Sequence, residues 1–594
     1  MIKGVRVIES IALQPADWLS FIGYFALLSL VGYLAGRRNK SAPAESSEDY
    51  FLAGRSLPWY VVGSSYIAAN ISTEHFIGLV GAAFIYGIAV ATGEWSTVIA
   101  FTFMIWIFIP FLFSAKVFTA PEFLERRFNT GMRVFFAIVT VIANIFAFLA
   151  PVIYGGGLAL DAILDINGLM GWEEGPQGLY LSIAIIGLAA GVWAIWGGLK
   201  SVAWMDLLTI IVMIVGGTAV TFYGLNALGH GDIFAGFSTM VERNTAETGV
   251  WKEAVAHMSQ EAVGQDNYER LSVIQPLSHQ LVPWTHWVLS FFYIGLWYTV
   301  INQFLIQRVF AAKNVYHARM GITFAAYLKL LLPFIVVMPG LIYFAMRPEI
   351  ILNGETINDV RQAADQTYIT LIVEVIPLGL KGLLMAALFG AIQSTVSAVL
   401  TSTSAVITMD FFKRFFKPDA TEQSLVGLGR LITAVILLGS IALGIWISTQ
   451  KVSLFAYIQE LFTFFAPPFS AVFLLGTFWK RLGGKAALTT VSVGFVFGIA
   501  VKIWVNSGTA PALLEPYANQ GVLNWAFCML LCVGLAYITP KPRPEQVTDD
   551  LTFNFKGMNF NEGLGTKWYN HVGLWSGMSI VLMLSFIILF SIIL

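Results

Sequence analysis

The stretch Ala68-Ala69-Asn70-Ile71-Ser72-Thr73-Glu74-His75 sets an amide, two hydroxyls, a carboxylate and an imidazole between apolar flanks. Glu94, Lys329, Gln459 and Glu460 stand in comparable surroundings, and Asp206 lies near the start of another apolar run. A charge at the centre of a bilayer costs about 2.5–3.5 kcal/mol even on the lenient insertion scale, so groups of this kind face a solute or ion path rather than lipid. Lys329 sits about ten residues inside its run, a depth from which snorkelling to water is strained. A buried pairing with Glu94 would relieve both charges, and both side chains could also hydrogen-bond a polyhydroxyl ligand. His75, Glu94, Lys329 and Gln459 are therefore read together as the lining of a solute site. Glu74 and Glu460 read rather as braces of broken helices, and Asp206 as either functional or an interfacial residue near Lys200.

A second constellation is the hydroxyl run Gln393-Ser394-Thr395-Val396-Ser397, continuing through Thr401-Ser402-Thr403-Ser404. Small hydroxyl residues serve helix packing in membranes. Here, however, Ser394 and Thr395 follow Ala391 at a spacing that lets one carbonyl and two hydroxyls converge. Carbonyls released where the helix unwinds at Ala68–Ile71 would complete an all-oxygen shell. Discontinuous helices hold sodium in this way, and neutral oxygens suit a monovalent ion better than calcium.

The elements that must position these groups are membrane helices. With 57% hydrophobic and 12% charged residues in 594, the chain is too apolar for a soluble globule. A net charge of −1 gives no reason to expect a nucleic-acid partner. About 20 apolar residues cross the hydrocarbon layer. Runs of that kind fall at 17–36, 58–86, 88–115, 132–164, 178–198, 202–225, 282–308, 319–346, 379–409, 425–449, 452–479, 483–506, 521–539 and 571–594. The expectation is an all-α polytopic protein of fourteen transmembrane helices, several long enough to tilt or break.

Loop charge sets the orientation. If the N-terminus lies outside, inside loops hold 23 of the 34 basic residues, among them Arg37, Arg38, Lys40, Lys116, Arg126, Arg127 and Lys200. Outside loops are acidic or mixed, and an even number of spans places the C-terminus outside as well. No separate signal peptide is evident before the first run. No loop is large enough to house an enzyme: 226–281 reads as a short lid or helical cap, and 540–570 as a cytoplasmic linker. Cys528 and Cys532, one helical turn apart in an apolar run, read as packing residues rather than a disulfide framework.

Longer matches then become visible. Ser47-Glu48-Asp49-Tyr50-Phe51-Leu52-Ala53-Gly54-Arg55, Gln307-Arg308, Thr408-Met409-Asp410 and Phe478-Trp479-Lys480 resemble the sodium/solute symporter family, in its sodium/glucose and sodium/galactose branch. The resemblance covers most of the chain. It implies the leucine-transporter fold, with two inverted repeats of five helices at 58–225 and 282–479. The segments 1–57, 226–281 and 480–594 flank or separate them. The first helix of each repeat would be broken near mid-membrane, in agreement with 68–75 and with Gly295.

Carried over residue by residue, the resemblance implies a sodium site of the Ala68, Ile71 and Ala391 carbonyls with the Ser394 and Thr395 hydroxyls. The implied sugar site is His75, Glu94, Lys329 and Gln459, with Thr97 as a further hydroxyl. Tyr298 matches an inner-gate aromatic, with Asn70 as its hydrogen-bond partner, Phe455 an outer-gate aromatic and Tyr154 a further pocket tyrosine. Gly295, Thr299 and Gly93 depart from the pattern, standing where an asparagine, a tryptophan and an aromatic are usual, which widens the expected pocket. Asp206 and Ser397 are present as parts of a second sodium site, but Ala398 replaces its paired hydroxyl.

The expected function is sodium-coupled symport of a glucose- or galactose-like hexose through the plasma (inner) membrane by alternating access. A myo-inositol, polyol or sugar-acid symporter and a transporter-like sugar sensor remain the alternatives. An intramembrane enzyme using His75 and Glu94 fares worst, for want of a second polar cluster to activate a nucleophile.

Overall fold

The computed structural model describes residues 14–37, 46–115, 117–173, 175–265, 268–449, 454–556 and 559–593, and at 111, 114 and 454–456 the backbone alone. Arg38, Lys40, Lys116 and the Phe455 side chain lie outside the described residues. Within them the protein is helical, and the single pairing of extended backbone is an isolated bridge between Leu57 and Ala312. Among the described residues, eleven helices are long and apolar enough to cross a membrane, or up to twelve if the bent pair Trp284–Ile301 and Gln303–Phe310 is one span.

Burial sorts these helices. The apolar stretches of Glu74–Phe108 and Leu380–Phe416 are each 94% buried, against 17% for Pro15–Gly36 and 22% for Val572–Ile593. The helices enclosed by protein are those that carry the polar residues, while the peripheral ones turn Leu, Ile and Phe outward. Cys528 and Cys532 are both free and buried.

Two interruptions organise the centre. The helix Trp59–Asn70 ends because Ile71 takes φ −86°, ψ 125°, and winding resumes at Glu74. Ile71 N–H still reaches the Ile67 carbonyl at 2.9 Å, but the next amide, of Ser72, turns to His75 Nδ1 at 3.4 Å. Ser72 Oγ accepts from Glu74 N–H at 3.2 Å. Short polar side chains thus supply local partners to backbone groups that a break at membrane depth would strand.

The second interruption falls at Asn302, with φ −66° and ψ 120°. Its side-chain oxygen accepts from Phe304 N–H at 3.3 Å, and the two halves meet at 51°. The break expected at Gly295 is not there: Gly295 lies inside the wound segment Phe291–Ile301, its carbonyl accepting from Thr299 Oγ1 at 2.6 Å. Glycine alone leaves the backbone amide in the ladder, whereas asparagine offers the next helix an N-cap.

The element Gln177–Leu228 runs 52 residues but contains Gly198 at φ 57°, ψ −164°. A Cβ there would lie 2.6 Å from the Tyr50 carbonyl oxygen, so the close approach and the backbone both require glycine. Trp59–Asn70 packs along Val315–Val336, where a Cβ on Gly63 would come within 2.4 Å of the Gly321 carbonyl. This close backbone contact sets the helix of Lys329 directly against the broken helix.

The segment that follows helices Ile233–Asn244 and Val250–Val263 meets the other end of the first interrupted helix, where Ile88 N–H donates to the Arg270 carbonyl at 2.8 Å. Arg270, fully buried, donates to the carbonyls of Ala83 at 3.3 Å, Phe84 at 2.8 Å and Ile85. These are the last acceptors of a helix that closes at Tyr86, and a cationic side chain is a favourable cap for them.

Candidate functional site

Between the two interrupted helices lies a polar cleft that encloses a cavity of about 100 Å³. His75, Glu94, Thr97, Lys329, Gln459, Asn70 and Tyr298 all line it. Lys329 Nζ donates to Glu94 Oε2 at 2.5 Å, with the two residues 3% and 8% exposed. His75 Nε2 stands 3.4 Å from the other oxygen, Oε1. Since His75 Nδ1 accepts from Ser72, its proton belongs on Nε2, aimed at Glu94. The ring thereby ties the helix break to the charge pair.

The opposite wall is held by Gln459, whose Nε2 donates to Glu74 Oε1 at 3.1 Å. Glu74 is itself a lining residue, so the brace and the site are one structure. Glu460, one position on, turns away and meets Lys502 at 2.9 Å. Thr97 gives its hydroxyl proton to the Gly93 carbonyl at 2.7 Å and offers the cleft only an acceptor. Asn70 Nδ2 donates to the Tyr298 hydroxyl, joining the two interrupted helices beneath the cleft. Phe462 and Phe148 pack on the Tyr298 ring at centroid distances of 5.3 and 6.1 Å.

Beside the break, Thr395 Oγ1 lies 3.0 Å from both the Ala69 and the Ile71 carbonyl oxygens. Ser394 Oγ is buried facing the Asp206 carboxylate, and Ala68 and Ala391 are fully buried. Hydroxyls and carbonyls gathered beside a helix break form a donor set that fits a desolvated small cation.

Asp206 is not at an interface near Lys200. It is 1% exposed, with Oδ2 accepting from Ser65 Oγ at 2.5 Å and Ser394 also facing its carboxylate. Arg308 Nε donates to the same Ser65 Oγ at 3.1 Å. Ser397 gives its proton to the Ala190 carbonyl at 2.9 Å, so its hydroxyl is engaged in helix packing. Tyr154, half-buried, is not among the residues lining the cleft.

Sequence reasoning missed three polar contributors. His286, Ser290 and Ser96 line the same cleft, and Ser290 donates to Ser96 at 3.3 Å. The available signal was an imidazole and a serine one turn apart at the head of an apolar run.

An interrupted helix whose freed carbonyls meet paired hydroxyls, beside a polar cleft enclosed by helices, defines a class: membrane transporters that couple a solute to a small cation. The chain belongs to the sodium:solute symporter family, which matches residues 50–494. It is 34% identical over 527 residues to a sodium/glucose cotransporter of Vibrio parahaemolyticus, covering 87% of this chain and 89% of that one. A sodium/myo-inositol cotransporter of Homo sapiens is 29% identical, over 93% of this chain and 78% of its own length. Among solved structures, the substrate-bound outward-open state of a sodium-coupled sialic acid symporter superposes with a TM-score of 0.67. It covers 89% of this chain and 99% of that one at 19% identity, a likeness of fold. The protein is thus an integral membrane transporter, not an enzyme, and sodium is its coupling ion.

Proposed function

We propose that the protein carries a neutral hexose of the glucose or galactose type inward with sodium, across the plasma or inner membrane. The observation that supports this most is the Lys329–Glu94–His75 group facing Gln459 and Glu74 across a cleft that adjoins the helix break. Such a ring of donors and acceptors matches a ligand with hydroxyls on several edges. The cleft presents two carboxylates, Glu74 and Glu94, against one lysine. That balance disfavours a sugar acid. myo-Inositol is the second reading, favoured by the cotransporters of that solute among the relatives.

Sodium, the co-transported ion, would be held by the carbonyls of Ala68, Ile71 and Ala391 and the hydroxyls of Ser394 and Thr395. Its charge would pin the break at Ile71 against the Leu380–Ala405 helix and so fix His75, which is wound from the same break. Sugar binding follows, and release inward requires Tyr298 to leave Asn70. A membrane potential of about 100 mV contributes roughly 2.3 kcal/mol per charge, enough for about 40-fold accumulation per sodium. The engaged Ser397 hydroxyl and Ala398 favour one sodium per cycle.

The reading also counts fourteen crossings in two inverted repeats, with both termini outside. At 1.5 Å per residue the 52-residue element would be about 78 Å long, more than two hydrocarbon thicknesses, so it divides at Gly198 into two spans. The test is sodium-dependent uptake into proteoliposomes across a panel of hexoses, myo-inositol and hexuronates. Uptake of glucose or galactose supports the proposal; sodium-driven uptake confined to myo-inositol or to the acids overturns it.

A further inference from the structure

A cavity of about 590 Å³ lies between the helices Pro15–Gly36, Ala150–Leu164, Gln177–Leu228 and Leu380–Ala405, and it shares no lining residue with the solute cleft. That volume is within the range of sites that take small organic molecules. Its walls are apolar and rich in rings. Phe21 stands edge-on to Phe389 with centroids 5.7 Å apart, and edge-on to Trp18 at 6.0 Å. Ile185 and Val192, also in the lining, are 43% and 55% exposed on the outside of the bundle, so the way in is through the hydrocarbon layer. Among the described residues, only Ser29 and Gln393 bring a polar group to the lining besides two indoles. Gln393 is 5% exposed. Its Nε2 faces Ser397 Oγ at 3.4 Å, and that hydroxyl can only accept, because its proton goes to the Ala190 carbonyl. The orientation of the amide is thereby fixed, and Oε1 is left buried without a partner among the described residues.

We infer that this cavity is a second binding site, separate from the transport path, for a lipid-soluble molecule with an apolar ring body and one hydroxyl, the hydroxyl donating to Gln393 Oε1. An unpaired buried acceptor carries a desolvation cost that a donor removes. Water is a poor candidate, since it needs two to four polar partners and the lining is almost wholly apolar. A hydroxyl carried on an apolar body needs one partner only. A phospholipid does not supply it. Gln393 is the fourteenth residue of its helix, about 20 Å from the helix start at 1.5 Å per residue, and so near the middle of a hydrocarbon layer about 30 Å thick. At that depth a phospholipid presents only its tail, which has no donor. The edge-on aromatic walls suit a ring better than a chain, because aromatic rings pair by edge and offset contacts.

The experiment is photolabelling of the full chain in phosphatidylcholine proteoliposomes with a diazirine derivative of 4-octylphenol, followed by peptide mapping. The label should concentrate on Pro15–Gly36 and Leu380–Ala405. Unlabelled 4-octylphenol should displace it at about one-tenth the membrane concentration that its methyl ether, 4-octylanisole, requires, the difference of one hydrogen bond. Gln393→Leu, which keeps the bulk and removes the acceptor, should bring the two competitors together. Ala189→Trp, on an exposed lining position, should remove the displaceable label. Because the first readout is a ratio of two competitors on one preparation, a variant that folds poorly lowers the signal without shifting the ratio. Equal displacement by phenol and ether in the wild type, or a ratio unmoved by Gln393→Leu, overturns the inference. So does displaceable label that survives Ala189→Trp, or label spread evenly over the outward faces of the peripheral helices. Label that appears only after phospholipid is exchanged for detergent overturns it as well, since a lipid chain is then the occupant.

Discussion

Lys329 and Glu94, 235 positions apart in the chain, meet at 2.5 Å in the interior of the helical bundle. The contact exists because Gly63 and Gly321 let the helix of Lys329 lie against the first interrupted helix, while the winding from Gly87 onward brings Glu94 back toward it. A pair this deep carries a large desolvation cost, and each member depends on the other.

Removing one partner should therefore do more than remove a contact. Breaking a buried pair costs about 3–5 kcal/mol because a lone charge is left behind. Lys329→Met and Glu94→Gln should each abolish solute accumulation and lower the melting temperature of the purified protein. The double variant should recover the melting temperature but not transport. A double variant that transports normally would show that the pair is structural only.

Tyr298 and Asn70 carry a second expectation. Asn70 Oδ1 is already buried without a partner, so losing the Tyr298 hydroxyl would leave the whole amide unsatisfied. Tyr298→Phe should weaken closure beneath the cleft by about 1–3 kcal/mol. Efflux of preloaded solute should quicken roughly tenfold or more, with little change in sodium affinity. Efflux at the wild-type rate would remove Tyr298 from the gate.

How much of this was legible in the sequence follows from physical cost. The polar run at 70–75 and the Lys329–Glu94 pair stood out because hydrocarbon tolerates neither without a reason, and the structure places them as neighbours of one cleft. Hydropathy carries no information on which way a polar residue faces. Asp206, read as open between interface and function, is instead buried on Ser65. Glu74, read as a brace, both braces Gln459 and lines the cleft. The second break was sought at Gly295 by the flexibility of glycine, whereas the capping power of Asn302 decides it. His286 sits at the head of its run, where an imidazole is tolerable and so attracts no notice.

The covering segment gives a pH prediction. His279 is fully buried, its Nδ1 accepting the N–H groups of Leu281 at 3.2 Å and Val282 at 3.1 Å. Burial pushes its pKa from 6.5 down to about 3. A folded value below the unfolded one means that the unfolded chain binds a proton first as the pH falls. The stability this residue confers is thus complete above pH 6.5 and is lost progressively from there toward pH 3. His279→Gln should flatten the fall in melting temperature between pH 7 and pH 5. An identical slope in the variant would show that His279 is not the titrating group.

The central claim is that the broken helix and the Thr395 hydroxyl together hold the coupling ion. Its most direct test is the sodium concentration for half-maximal solute uptake in wild type, Thr395→Ser and Thr395→Ala. Thr395 Oγ1 stands 3.0 Å from the Ile71 carbonyl, and loss of one oxygen ligand should raise that concentration about tenfold or more in Thr395→Ala. Thr395→Ser, which keeps the oxygen, should stay near wild type. An unchanged sodium dependence in Thr395→Ala would contradict the account.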